Sequence, residues 1–198
     1  MSRPHDLILA SKSASRRAML DGVALKYRAI PADLDERAIG EKFSDNPKKM
    51  ATELARQKAL AVAKNNPDAL VIGSDSLVAL DGTIFNKAES PQEAVQKILT
   101  LSGKTHHLIS AVAVAKGGVI LWDACDHAAM TMRKFDEDFA RDYVAKIGNA
   151  ATDCVGAYQL EALGSWLFEK IEGDYFTILG MPLVQLLGYL QDYHGVKL

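Results

Sequence analysis

Leu7-Ile8-Leu9-Ala10-Ser11-Lys12-Ser13-Ala14-Ser15-Arg16-Arg17 decides how the chain is read, because four apolar residues run straight into three hydroxyls and three cations. The apolar run predicts a short buried strand over 7–10. The serines predict a turn into a helix capped by Ser13, with Met19 and Leu20 on its apolar side. A turn of this kind leaves backbone N–H groups pointing outward with the positive end of the helix dipole behind them. Hydroxyls and forked guanidinium groups suit phosphate oxygens. Two readings follow, a phosphate site or an ordinary capped helix with solvated arginines. Arg16 and Arg17 favour the first, since positive charge early in a helix opposes the dipole unless an anion is bound. The GxxxxGK[ST] phosphate loop is absent from the sequence.

A chain of 198 residues suffices for one sizeable core or two closely joined lobes, and its composition is that of an ordinary globular protein. The formal net charge of −2 excludes a broad basic footprint for nucleic acid but permits a local positive pocket. Cys125 and Cys154 lie far apart without metal-ligand spacing, which predicts two reduced thiols rather than a disulfide or a zinc site. The apolar run before Ser11 is too short for a secretory signal, and no run reaches membrane-spanning length. The expectation is a cytoplasmic protein with no membrane partner.

Beyond the first helix, residues 27–30 read as a second short strand stopped by Pro31, followed by a loop carrying Asp33, Asp35 and Glu36. These acids are either a solvated turn or a group able to share a divalent cation. Pro47 opens a long helix to about Asn65, whose apolar stripe of Ala51, Leu54, Ala55, Ala59 and Val62 is interrupted by Lys58. That lysine either snorkels to water or faces an anion in a cleft. Residues 69–73 and 77–80 are apolar and flank Ser74-Asp75-Ser76, after which Asp81-Gly82 makes a hairpin turn to 83–85 and Lys87. Asp75 is thus either a turn aspartate or a carboxylate that must be paired, metal-bound or shifted upward in pKa, as a general base would be.

Ser90-Pro91-Gln92-Glu93 caps a helix to about Leu101, and Gly103 stops it. Residues 106–115 and 119–132 read as two long strands joined at Gly117-Gly118, with His106, His107 and His127 in packing or surface roles. A helix over 136–146 with Phe139, Tyr143, Val144 and Ile147 on its apolar side follows, and Pro182 opens a last helix through Leu190. No repeat or linker divides the chain, so residues 1–198 are expected to form a single α/β or α+β unit.

Taken together, residues 11–17, the Leu34-Asp35-Glu36 loop, Lys58, Gly73-Ser74-Asp75-Ser76, Lys87, Leu101-Ser102-Gly103, Gly156-Ala157-Tyr158, Ile171-Glu172-Gly173-Asp174 and Gly180-Met181-Pro182-Leu183 resemble the Maf family of septum formation inhibitor-like nucleoside triphosphate pyrophosphatases. The resemblance runs nearly end to end. It implies an elongated α/β fold with a mixed sheet flanked by helices, ITPase-like, with a cleft between two lobes and usually a homodimer. It implies hydrolysis of a nucleoside triphosphate between the α and β phosphates with a divalent cation, Mg²⁺ by preference. Asp75 would be the proton acceptor, activating a water for in-line attack at the α phosphorus. Ser11, Ser13, Arg16, Arg17, Lys58 and Lys87 would hold the triphosphate, and Glu36 with Asp75 would hold the metal.

Two positions depart from the family pattern, which commonly has proline where Ala14 and Ala88 stand; proline shapes backbone and supplies no catalytic group. Base preference in the family tracks the positions of Ser15, Ser76 and Glu161. One subgroup, preferring dTTP and UTP, carries Arg, Thr and Gln there; another, preferring 7-methyl-GTP, carries Trp, Gln and Glu. Only Glu161 matches either, and it leans to 7-methyl-GTP: a carboxylate accepts from the guanine N1–H and N2–H₂ edge and complements a cationic methylated ring. The alternatives are a dTTP/UTP pyrophosphatase or a non-catalytic nucleotide-binding regulator of cell division, which would not need Asp75.

Overall fold

The computed structural model describes residues 6–196, so the ends of the expected 1–198 unit lie outside the described residues. In chain order the elements are β1 (Leu7–Leu9), α1 (Ala14–Gly22), β2 (Arg28–Ala29), α2 (Glu36–Gly40), α3 (Pro47–Ala63), β3 (Leu70–Leu80), β4 (Thr83–Phe85), α4 (Pro91–Leu101), β5 (Thr105–Lys116), β6 (Val119–Met132), α5 (Glu137–Ile147), α6 (Ala150–Asp153), β7 (Phe168–Glu172), α7 (Tyr175–Leu179) and α8 (Leu183–His194). They build one mixed seven-stranded sheet in the order β2-β1-β3-β5-β6-β7, with β4 on the edge of β3. β1 pairs in parallel with β2 and β3, and the remaining pairings are antiparallel. The expected mixed α/β architecture is therefore what the chain adopts. Among the described residues no helix is long and apolar enough to cross a membrane.

Side chains alternate across a strand, and β3 divides its residues accordingly. Val71, Leu77 and Ala79 pack in one cluster with Ala51, Ala55, Ala59 and Val62 of α3. On the other face, Leu70 and Ile72 join Leu9, Met19 and Leu20 and the α8 residues Leu186 and Leu190, while Val78 and Leu80 join a separate core with α4 and α5. Two apolar clusters thus share one face of the sheet. Between them runs a polar row: Ser76 is registered with Ser110, and Ser110 with Asp126. Helix α7 covers this row. Ser110 Oγ donates to Thr177 O at 2.7 Å and Thr177 Oγ1 lies 3.2 Å from Asp126 Oδ2. A buried polar row must find partners, and α7 supplies them between the two apolar clusters.

Several expected elements differ in extent. The 69–73 and 77–80 segments form one continuous strand through Ser74, Asp75 and Ser76, because the long partner β5 pairs with it from Val71 to Ala79. The acidic 33–36 loop ends in the first residue of α2, with Asp35 capping that helix by accepting from Ala38 N, so it is no cluster of three acids facing a cation. The second strand shrinks to Arg28–Ala29. On α5, Phe139 is 41% exposed, and the buried face is Ala140, Tyr143 and Val144. β7 and α7 were not expected from the sequence; their segments carry neither clear alternation nor enough length for a helical period. His106 is fully buried beside Tyr158, and burial pushes its pKa down to about 4, so it is a neutral packing residue. His107 and His127 lie on the exposed face with ring centroids 5.9 Å apart.

Gly73 sets the distance between α3 and β3. A Cβ there would stand 2.2 Å from Ala55 O and 2.5 Å from Ala59 N, both helix backbone that cannot swing aside. Gly73→Ala is expected to push α3 away from the sheet, costing about 1–3 kcal/mol as overpacking does, and to separate Lys58 from Asp75. Urea unfolding and turnover of the variant check this; a wild-type midpoint would show that the contact yields.

Candidate active site

On the edge of β3, β1 covers Leu70–Ile72 and β4 covers Val78–Leu80, and neither registers with the segment between. Asp75 sits in the middle of that uncovered stretch. Beyond the carboxyl end of a parallel strand such an opening is where α/β sheets place ligands. β1 leads into it through Ser11, after Ala10 N donates its last sheet bond to Ile72 O at 2.8 Å.

Asp75 lies on the same face as Gly73, so it points toward α3 and meets Lys58, which interrupts that helix's apolar stripe. Lys58 Nζ donates to Asp75 Oδ1 at 2.7 Å and to Glu36 Oε2 at 2.8 Å. The partners are unequal: Lys58 and Asp75 are 8% and 5% exposed, whereas the Glu36 side chain is about half exposed (53%). The lysine of the stripe therefore reaches a buried carboxylate instead of snorkelling to water. Burial raises the Asp75 pKa above the ordinary aspartate range, and the charges of Lys58 and Arg16 pull the other way without prevailing. Asp75 Oδ2 is buried and accepts no hydrogen bond. A buried carboxylate oxygen of this kind calls for a partner, which a water or a hard cation would be able to supply.

The α1 entrance forms the second half of the site. Ser13 caps the helix, its Oγ accepting from Arg16 N at 3.4 Å and lying 3.0 Å from Ser15 Oγ. Ser11 is buried and accepts from Ser13 N at 3.1 Å. Arg16 Nε donates to Gly180 O at 3.0 Å and Arg16 Nη2 to Ser76 Oγ at 2.9 Å. Among the described residues no carboxylate forms an ion pair with Arg16, although Asp75 and Glu36 lie close enough to act on it electrostatically. Helix α1 carries no acidic residue in its first turn. A guanidinium held by neutral oxygens beside an open helix N-terminus is a receptor for an anion.

Asp75, Lys58, Glu36, Ser11, Ser13, Ser15, Arg16 and Ser76 thus come together at one opening. Three other expected residues do not join them by direct contact. Arg17 is exposed and bonds through its backbone, its carbonyl accepting from the Tyr27 hydroxyl and its N–H donating to Ser13 O. β4 runs back toward Asp75, but pairing stops at Phe85 and Lys87 is exposed without an ion pair to Asp75 or Glu36. Glu161 is exposed on the other lobe, and both it and Lys87 act on the thiol of Cys154, so these two charges share one neighbourhood. Ser76, a position that tracks base preference in the family, has its hydroxyl bonded to Arg16 and Gly180. Gly180 stands among the stretches that carry the family resemblance, but the sequence gives it no role at the site, because the group involved is a backbone carbonyl.

The chain is similar to known proteins over most of its length. A family model described as Maf-like protein matches residues 6–193. The chain is 44% identical over 189 residues to a 7-methyl-GTP pyrophosphatase of Rhizobium etli, covering 94% of this chain and 95% of the relative. It is 42% identical over 193 residues to a nucleoside triphosphate pyrophosphatase of Granulibacter bethesdensis, covering 96% and 98% of the two chains. Among solved structures, a HAM1 protein from Coxiella burnetii matches with a TM-score of 0.44 and 17% identity, over 65% of this chain and 73% of that one.

Proposed function

The chain belongs to the Maf family, and on that premise we propose that its cleft hydrolyses a nucleoside triphosphate to monophosphate and pyrophosphate, with 7-methyl-GTP the favoured substrate. The observation that carries the reading is the juxtaposition of a buried carboxylate, Asp75, with an anion receptor formed by Ser11, Ser13 and Arg16. Phosphate-binding groups alone would serve a regulator; a buried base with an unpaired oxygen beside them serves hydrolysis.

In this mechanism the triphosphate lies across the start of α1, its charge met by the helix N–H groups and Arg16. Lys58 keeps Asp75 ionised by offsetting part of its burial and fixes Oδ1, which leaves Oδ2 to accept the proton of the attacking water. In-line attack at the α phosphorus then expels pyrophosphate, the better leaving group. Lys87 is the cation that the second lobe would bring to the phosphates, and Glu161 its base-reading carboxylate; their shared neighbourhood supports both roles.

The residues fit a divalent cation. Asp75 and Glu36 supply hard carboxylate oxygens bridged by Lys58, and Asp75 Oδ2, to which no protein group donates, has lone pairs for the cation as well as for the attacking water. Among the described residues no group of three or more acids, histidines or cysteines gathers to form a closed metal cage. A site with few protein ligands suits Mg²⁺, which keeps waters and takes its other ligands from substrate phosphates. Bound there, the metal would supply charge neutralisation on the phosphates. The working form we propose is a cytoplasmic homodimer acting on free nucleotides, in keeping with the family and with a net charge of −2.

Incubating the purified protein and Mg²⁺ with 7-methyl-GTP, GTP, dTTP, UTP, CTP and ITP tests the reading through release of pyrophosphate and monophosphate. The expected result is fastest release from 7-methyl-GTP. Glu161→Gln should lower turnover of 7-methyl-GTP about tenfold relative to UTP, the scale of a lost pair of base-edge hydrogen bonds. Preference for dTTP or UTP in the parent protein would overturn the base assignment, and no release from any nucleotide would overturn the hydrolase.

A further inference from the structure

Gly180 ends α7 with φ +113°, and three groups able to donate surround its carbonyl oxygen: Arg16 Nε at 3.0 Å, Ser74 Oγ at 2.9 Å and Ser76 Oγ at 3.0 Å. Each hydroxyl carries one proton, so the network can be counted. Ser74 Oγ also lies 2.8 Å from Ala111 O, and Ser110 Oγ lies 2.7 Å from Thr177 O. Giving the Ser74 proton to Ala111, the Ser110 proton to Thr177 and the Ser76 proton to Gly180 provides each of the three carbonyls with a hydroxyl donor, and leaves the Ser74–Gly180 contact at 2.9 Å and the Ser110–Ser76 contact at 3.1 Å without a shared proton. Ser76 Oγ is then an acceptor for Arg16 Nη2, and the second lone pair of Gly180 O takes Arg16 Nε. One edge of the guanidinium is thereby fixed by two oxygens. The remaining nitrogen, Nη1, meets Ser11 Oγ at 3.4 Å, a long contact that a phosphate oxygen would improve.

We propose that the Gly180 carbonyl, with Ser76, is the positioning group that aims Arg16 at the phosphates, a role that rests on the nucleotide reading above. A neutral acceptor is suited to it. A carboxylate would orient Arg16 but would also neutralise the charge that the substrate needs. The position requires glycine on two counts. Its φ lies in the region that side chains disfavour, and a Cβ would stand 3.1 Å from Ser76 Oγ and 3.6 Å from Arg16 Nε, on the clamp itself. Helix α7 thus couples the polar row between the lobes to the substrate arginine, since Thr177 anchors the same helix through Ser110 and Asp126.

The test is a double-mutant cycle read by calorimetric binding of inorganic pyrophosphate, with KM and kcat measured alongside. Gly180→Ala should weaken pyrophosphate binding and raise KM by about tenfold, the scale of one charge-assisted hydrogen bond. Arg16→Ala should weaken binding at least as much. Gly180→Ala added to Arg16→Ala should then weaken it no further. Additive losses would overturn the positioning role. Ser76→Ala and Ser76→Thr form a second pair that leaves the backbone alone: alanine should reproduce the non-additive loss and threonine should restore binding. Failure of threonine to restore it would count against the clamp even where Gly180→Ala does not fold. Wild-type protein that binds pyrophosphate but cleaves no nucleotide would sink the hydrolase reading while the cycle still decides the clamp; wild-type protein that does not bind pyrophosphate would sink the clamp as well.

Discussion

Asp75→Asn is expected to bind nucleotide as the parent protein does and to turn it over about a thousandfold more slowly, within the range that a positioned general base contributes. Asparagine has the shape of aspartate and keeps an oxygen for Lys58 at the 2.7 Å contact, while Glu36 holds the other side of the ammonium. The fold should therefore survive and the loss should fall on kcat. The parent enzyme carries a pH signature of the same residue. Burial raises the Asp75 pKa above the ordinary 3.8, and a base must be deprotonated to act. The rate should accordingly fall as pH drops, along a limb centred above that value, and Asp75→Asn should lack the limb. Stopped assays from pH 4 to 8 at saturating nucleotide measure both. Unchanged kcat in the variant would remove Asp75 from the chemistry and return the protein to the regulator alternative.

How much of this site the sequence disclosed depends on what each residue does. Lys58 and Asp75 stood out because each breaks an apolar pattern, and a charge in the wrong place must have a partner. Their pairing across 17 residues was not readable, since it depends on Gly73 letting α3 lie against β3. The α1 entrance was legible from local chemistry, because capping and dipole effects act within one turn. The sheet was legible where long alternating strands dominate, and illegible at β7 and α7, which are five residues each. The polar row of Ser76, Ser110 and Asp126 is invisible before folding: nothing local distinguishes a serine that will be registered with another serine from a surface one. Ser76 shows the consequence. Its position enters the reading only through family base preference, and the fold bonds its hydroxyl to Arg16.

Lys58→Met is expected to be the most destabilising single change at the site, and the reason lies in Asp75 more than in the lysine. Removing one partner of a buried ion pair typically costs about 3–5 kcal/mol, because the remaining charge is left without compensation. Methionine fills the space of the lysine stem but cannot offset the carboxylate, and Glu36, which is half exposed, cannot help since it carries the same sign. Losing Lys58 removes the principal influence that lowers the Asp75 pKa, so burial then acts with less opposition and the folded-state pKa climbs further. The sign of the pH dependence follows. A carboxyl whose pKa is higher in the folded than in the unfolded chain holds its proton preferentially when folded, so stability falls as pH rises through that window. The deficit of Lys58→Met should thus be smaller at pH 5 than at pH 8. Adding Asp75→Asn should recover most of it at pH 8, since a neutral amide no longer needs the cation, whereas turnover should stay lost. Urea midpoints for the four proteins at the two pH values decide the matter: a deficit that is equal at both, and not relieved by Asp75→Asn, would mean that the stem of Lys58 matters for packing and that its charge does not hold Asp75 in place.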